Sequence, residues 1–224
     1  MFSLGSIALI QLTPTDIVMA AVRIKVNVTL YHVVFMASDA RAGFMEQGFR
    51  LGLTGSPGTG KTTVAEKLGE SGVIVDTVIS LAEKHGCLGK LDPMDDARPV
   101  DIESLYSKLS EEWDSEPVSH VVIEGHLSHH LPVDGFILLR CPPDDLRKRL
   151  VERGYSEEKT IANVEWEILG GAWNEIEPDF PIIEFDTSKK PPDVIVGCIV
   201  DWMSDGFKPE CPSSAIDWVE RGHG

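Results

Sequence analysis

Five short apolar runs, at residues 51–54, 73–76, 118–125, 136–140 and 182–185, are separated by segments whose apolar positions recur every three or four residues. The runs have the length of buried strands, and the segments between them have the period of amphipathic helices. Helices are expected at 63–68, 77–85, from Asp101 onward, from Pro142 onward, from Ser156 onward and at 191–203. Asp101 can cap a helix on which Ile102, Leu105, Tyr106 and Leu109 fall at i, i+3, i+4 and i+7, so that one face is buried. Pro142, Pro143, Asp144 and Asp145 place proline and acids in the first turn of the next helix, where both are favoured. Ser156 with Glu157 and Glu158 opens the one after, with Ile161, Val164, Ile168 and Leu169 expected in the core. Strands alternating with helices predict an open α/β sheet.

The first apolar run breaks into a glycine-rich turn and then a helix-forming stretch, RLGLTGSPGTGKTT at 50–63. Gly55, Gly60, Lys61 and Thr62 fill every fixed position of the phosphate-binding P-loop, G-x-x-x-x-G-K-[ST], in the strand-turn-helix context the motif needs. Wrapping a triphosphate with backbone N–H groups requires residues without a Cβ, which Gly55, Gly58 and Gly60 supply. The helix that follows adds the positive end of its dipole. Lys61 is expected to reach the β and γ phosphates of ATP, Thr62 to offer its hydroxyl to Mg²⁺, and Thr63 to touch the α phosphate. Glu124, at the carboxyl end of the third strand, lies where ligands bind in such sheets. It is expected to hold Mg²⁺ through a water.

The 224 residues suffice for one domain with a sizeable core, and 42% hydrophobic with 25% charged residues is an ordinary soluble composition. The formal net charge of −16 argues against tight binding to bare nucleic acid and favours basic protein partners. That acidity belongs to residues 51–224, because residues 1–50 carry Arg23, Lys25, Arg41 and Arg50 against only Asp16, Asp39 and Glu46. The amino-terminal apolar stretches are too short and interrupted to span a bilayer, and no basic region precedes them as in a signal peptide. Residues 1–48 are expected to be an extension with little fixed structure, or to lie upstream of a true start near Met45. Cys87, Cys141, Cys198 and Cys211 show no C-x-x-C pairing, which points to free thiols in the reducing cytoplasm. The histidines His120, His126, His129 and His130 raise a metal hypothesis, but no carboxylate spacing completes a recognised site and Pro132 cuts the segment short.

The segments RKRLVERGYSEEKTIANVEWEI at 147–168, EGHLSHHLP at 124–132 and EFDTS at 184–188 resemble those of the archaeal adenylate kinases. These are related to eukaryotic adenylate kinase isoenzyme 6 and its yeast ribosome-assembly counterpart. The resemblance covers roughly residues 50–203. It implies a P-loop NTPase with an adenylate kinase-like five-stranded parallel sheet and flanking helices over 49–205, followed by a tail at 206–224. A short monophosphate-binding region is expected at about 76–101 and a short lid at about 152–162.

The resemblance further implies transfer of the γ-phosphoryl of ATP to AMP or another nucleoside monophosphate, with ATPase activity. It also implies work in late small ribosomal subunit maturation, through a basic small-subunit ribosomal protein and the pre-ribosomal small subunit. The alternative is an ATP-driven assembly factor with negligible kinase activity. Arg149 and Arg153, four apart on one helical face, suit neutralisation of charge on transferring phosphates. His126 is placed to orient or deprotonate the attacking group, with capping or packing as its other reading. Two departures stand out: Ala162 precedes Asn163 where the family usually has glutamate, and between Arg50 and Arg140 only Arg98 is available to grip an acceptor phosphate.

Overall fold

The computed structural model describes residues 48–91, 98–177, 179–208 and 215–222. The expectations for residues 1–47, for positions 92–97 of the monophosphate region and for Cys211 lie outside the described residues. Five parallel strands form one sheet in the order β2-β3-β1-β4-β5. They are β1 (Arg50–Thr54), β2 (Ile74–Thr77), β3 (Val121–Glu124), β4 (Gly135–Arg140) and β5 (Ile182–Asp186). The central position of β1 places the turn that follows it in the crevice where successive connections leave for opposite sides of the sheet.

Both faces of the sheet are covered, which is why its strands read as continuous apolar runs rather than alternating ones. On one face, α1 (Lys61–Glu70) and α6 (Pro192–Ser204) pack Val64, Leu68, Ile195 and Ile199 over Leu51, Leu53, Val122, Ile137 and Leu139. On the other, α2 (Val78–Lys84) and α3 (Ile102–Glu112) pack Leu81, Leu105 and Leu109 with Ile123, Phe136 and Leu138. Two further helices, α4 (Pro143–Glu152) and α5 (Glu157–Ile168), enclose a smaller cluster of Cys141, Leu146, Leu150 and Val164. Asp101 accepts from the Ser104 amide and Ser156 from the Lys159 amide, so both expected caps form.

Three expectations are corrected. The third strand starts at Val121, not 118, and Val118 is 95% exposed. On α3, Leu105 and Leu109 are fully buried but Tyr106 is exposed. Ile161 on α5 and Leu169 just past its end are exposed, while Thr160, Val164 and Glu167 form the inner face. Glu167 can turn inward because Arg140, at the end of β4, meets it there: Nε lies 2.7 Å from Glu167 Oε1 and Nη2 donates to the Glu167 carbonyl at 2.8 Å. A buried carboxylate with such partners displaces the apolar residue that the helical period alone would select. No helix among the described residues is long and apolar enough to cross a membrane.

Candidate active site

The turn between β1 and α1 is shaped by its glycines and braced by its polar residues. Gly55 has φ +134°, and a Cβ there would meet the Leu139 carbonyl oxygen at 2.2 Å, so only glycine fits between β1 and β4. Gly60, with φ +100°, turns the chain into α1, whose first residue is Lys61. Thr59 Oγ1 donates to the Ser56 carbonyl at 2.8 Å. Arg149 Nη1, from α4, donates to the Gly58 carbonyl at 3.2 Å and to Thr187 Oγ1 at 3.4 Å. Ser56 donates its hydroxyl to Glu167 Oε2, which anchors the turn to α5.

A cavity of about 530 Å³ opens over this turn, within the size range of small-molecule sites. Gly58, Gly60, Lys61 and Thr62 line it from the loop, Glu124 and His126 from the end of β3, and Arg153 from the end of α4. The parallel register sets Glu124 beside Leu53, and Gly125 N donates to the Leu53 carbonyl at 3.1 Å, which holds the two strand ends together. Of the remaining expected residues, Gly55 lies beneath the loop against β4, Thr63 is exposed and does not line the cavity, and Arg149 braces the loop from behind.

The electrostatics follow from burial. Lys61 is buried, and its Nζ donates to the Gly55 and Ser56 carbonyls at 2.8 and 3.0 Å. Burial lowers its pKa to about 8, with Arg153 adding to the shift and Glu124 and Glu167 opposing it. The Glu124 carboxyl is pushed up by burial and partly restored by Lys61. Burial, reinforced by Lys61, lowers the His126 pKa to about 4, so its imidazole is neutral at pH 7. The hydroxyl of Thr62 and the carboxylate of Glu124 are hard oxygen donors in one cavity, the set that suits Mg²⁺.

Four polar lining residues, Thr77, Tyr155, Lys159 and Asn163, carry no expectation of this role from the sequence. Lys159 and Asn163 lie four apart on α5, one helical turn, which was the available signal. Arg98 also lines the cavity, beside Pro99 and Val100. The carboxyl-terminal segment carries no motif, yet Trp218 is 2% exposed and donates to Glu167 Oε1 at 2.9 Å. Ile216 N donates to Glu184 Oε2 at 2.7 Å. Glu184 in turn accepts from Arg140 Nη1 at 2.9 Å.

Comparison with known proteins places this arrangement. The AAA domain family matches residues 51–170. A protein of Archaeoglobus fulgidus named "Putative adenylate kinase" is 41% identical over 175 residues, which cover 76% of this chain and 92% of its own. Proteins of the same name from Pyrococcus abyssi and Methanocaldococcus jannaschii are 36% and 31% identical, over 76% and 77% of this chain and 91% and 94% of their own. The chain belongs to this archaeal adenylate kinase family. It is therefore a P-loop phosphotransferase by family. A shikimate kinase from Acinetobacter baumannii, solved with shikimate, shares the fold with a TM-score of 0.52 at 15% identity, covering 74% of this chain and 98% of that one.

Proposed function

We propose that the chain is a nucleoside monophosphate kinase of broad acceptor specificity, moving the γ-phosphoryl of ATP to AMP or a similar monophosphate, with ATP hydrolysis as its side reaction. The observation that carries this reading is that one cavity is lined by three separate parts of the chain. The P-loop residues Gly58, Gly60, Lys61 and Thr62 meet Arg153, Tyr155 and Lys159 of the expected lid, Asn163 just after it, and Thr77 with Arg98, Pro99 and Val100 of the expected monophosphate region. A lining drawn from all three parts is what a donor and an acceptor nucleotide meeting over the P-loop would use.

In the proposed reaction an oxygen of the acceptor phosphate attacks the γ-phosphorus, and the bond to the β-γ bridging oxygen breaks, giving two ADP. Catalysis is by positioning and charge. The loop amides between Gly55 and Gly60 cradle the phosphates. Lys61 exchanges the Gly55 and Ser56 carbonyls for β and γ oxygens. Arg153 neutralises charge that develops on the transferring group, while Arg149 fixes the loop through Gly58. Arg98 is the cation for the acceptor phosphate. Thr62, and Glu124 through a water, would hold Mg²⁺, which supplies neutralisation of the β and γ oxygens. The neutral imidazole of His126 donates its ring N–H to the acceptor phosphate and so orients the attacking oxygen.

A second reading is favoured by the neutral His126 and the carboxylate of Glu124 beside Lys61, an arrangement that can orient water as well as an acceptor. In it, hydrolysis dominates and serves small ribosomal subunit maturation through a basic ribosomal protein, supported by the acidic balance of residues 51–224 and the resemblance described above. The free thiols of Cys87, Cys141 and Cys198 support a cytoplasmic setting for either. Phosphorus NMR of ATP with and without AMP separates the readings. The kinase yields two ADP per ATP consumed when AMP is present and little inorganic phosphate. Equal phosphate release with and without AMP would favour the hydrolytic reading.

A further inference from the structure

The histidine pair that follows β3 acquires in three dimensions the carboxylate that the sequence does not place near it. His129 and His130 end the short 3₁₀ turn Ser128–His130, and Glu175 closes a second one, Gly171–Asn174, some 45 residues on. Glu175 Oε2 lies 2.8 Å from His129 Nε2 and 3.4 Å from His130 Nε2. All three donor atoms fall within 4.8 Å of one another, and the two rings are tilted by 41° with centroids 4.0 Å apart. We propose that His129, His130 and Glu175 form a site for a zinc-class transition-metal ion, distinct from the Mg²⁺ position expected in the nucleotide cavity.

The donor chemistry and the spacing agree. Two imidazole nitrogens with one carboxylate oxygen are the ligand set of open zinc sites, in which water takes the fourth position. Zinc bonds of about 2.1 Å in a tetrahedron separate neighbouring ligand atoms by about 3.4 Å. The His130 to Glu175 distance already has this value, and the His129 to Glu175 pair needs to open by roughly half an ångström. That opening is available because the Glu175 side chain is 42% exposed, as is 38% of His130, whereas His129 is only 1% exposed. One rigid, buried ligand and two that adjust from the surface leave the outward position to solvent.

The outer partners of these ligands also fit. His129 Nδ1 lies 2.9 Å from Thr54 Oγ1, and the Trp166 side chain hydrogen-bonds to Glu175. A metal-bound histidine keeps its proton on the other ring nitrogen and donates it to a neighbour, which orients the ring and raises its basicity. With an ion on Nε2, His129 Nδ1–H donates to Thr54 Oγ1. The Thr54 hydroxyl then donates to the His126 carbonyl, its other partner at 3.1 Å. Without an ion, Nε2–H donates to Glu175 and Nδ1 accepts from Thr54. Either arrangement gives both ring nitrogens of His129 a partner, so the ion exchanges one hydrogen-bond pattern for another. Thr54 directly precedes Gly55, and the ion-bound pattern fastens that end of the P-loop to the turn carrying His126.

The test is titration calorimetry with Zn²⁺ on the full chain after chelator treatment, free of nucleotide and Mg²⁺, beside His130→Ala and Glu175→Gln. The expected result is an ion bound by the wild type that both variants hold at least tenfold more weakly, since even outer-partner changes cost about ten- to a hundredfold in metal affinity. The two substituted side chains are surface-exposed, so the variants report on the ion rather than on folding. Imidazole ¹⁵N spectra supply the second readout: Zn²⁺ shifts Nε2 of His129 and leaves its proton on Nδ1. No binding by the wild type, an isotherm unchanged in either variant, or a His129 ring that keeps its proton on Nε2 would overturn the proposal.

Discussion

Trp218 donates its indole N–H to Oε1 of Glu167, the residue whose other carboxylate oxygen accepts the Ser56 hydroxyl of the P-loop. Two hydrogen bonds thus connect the carboxyl-terminal segment to the turn that binds phosphate, and Arg140 completes the centre by pairing with both Glu167 and Glu184. Trp218→Ala should lower stability by about 3–5 kcal/mol, the range for large-to-small change at buried aromatics. Trp218→Phe, which keeps most of the ring, should cost about 1.5–3 kcal/mol through the lost bond to a charged group. Urea denaturation measures both, and wild-type stability in Trp218→Ala would mean that the segment contributes nothing to the fold.

Glu167→Gln should be worse placed than its small change in shape suggests. Glu167 Oε1 receives Arg140 Nε, Cys141 N and Trp218 Nε1, and an amide keeps an oxygen for these donors but loses the charge that pairs with Arg140. Removing one partner of a buried ion pair typically costs about 3–5 kcal/mol. The double variant with Trp218→Phe should lose less than the sum of the single losses, because both changes act on one network. Strict additivity in the same denaturation experiment would show that the two contacts are independent.

Stability should also fall on the acid side of neutrality. His120 stacks on Phe49 with ring centroids 5.7 Å apart, and burial lowers its pKa below the usual 6.5. The unfolded chain therefore takes up a proton near pH 6.5 that the folded chain refuses until a lower pH. Unfolding is thereby favoured as pH drops below 6.5, and the loss levels off below the folded value. Melting temperatures at pH 8 and pH 5.5 should diverge less in His120→Phe, which keeps the stack without the titration. An unchanged pH dependence in that variant would remove His120 from the account.

The two arginines of α4 and its end should separate kinetically. Arg153 lines the cavity, so Arg153→Ala should lower kcat by roughly 10²-fold, in the range of lost transition-state contacts. Arg149 reaches the nucleotide site only through Gly58 and Thr187, so Arg149→Ala should act mainly on the KM for ATP. Steady-state kinetics in both substrates decide this, and an unchanged kcat in Arg153→Ala would contradict its assignment.

How legible these features were in the sequence depended on how local their causes are. The P-loop, the caps at Asp101 and Ser156 and the apolar runs of the strands are set by residues within a few positions of one another, and the structure has them where the pattern places them, apart from the late start of the third strand. Glu167 was hidden because what turns it inward is Arg140, which is 27 residues away in the chain and met only when β4 and α5 come together. Leu169 was misplaced for the same reason: once Glu167 and Val164 set the inner face, the apolar residue at the helix end is left 69% exposed. Glu175 joins His129 across 46 residues, so counting spacings along 120–132 could not find it. Arg98, noted as the one arginine between residues 50 and 140, stood out by scarcity, and the structure adds that it lines the cavity.

The central claim, phosphoryl transfer in the cavity over Lys61, is tested most directly by the initial rate of ADP formation from ATP and AMP in the wild type and in Lys61→Ala. The variant loses the loop's side-chain cation and nothing from the hydrophobic clusters of the fold. The account predicts AMP-dependent ADP formation in the wild type and a fall of at least ~10²-fold in the variant, with the circular dichroism spectrum unchanged. Absence of AMP-dependent ADP formation in the wild type, or more than about a tenth of the rate retained by a folded Lys61→Ala protein, would contradict it.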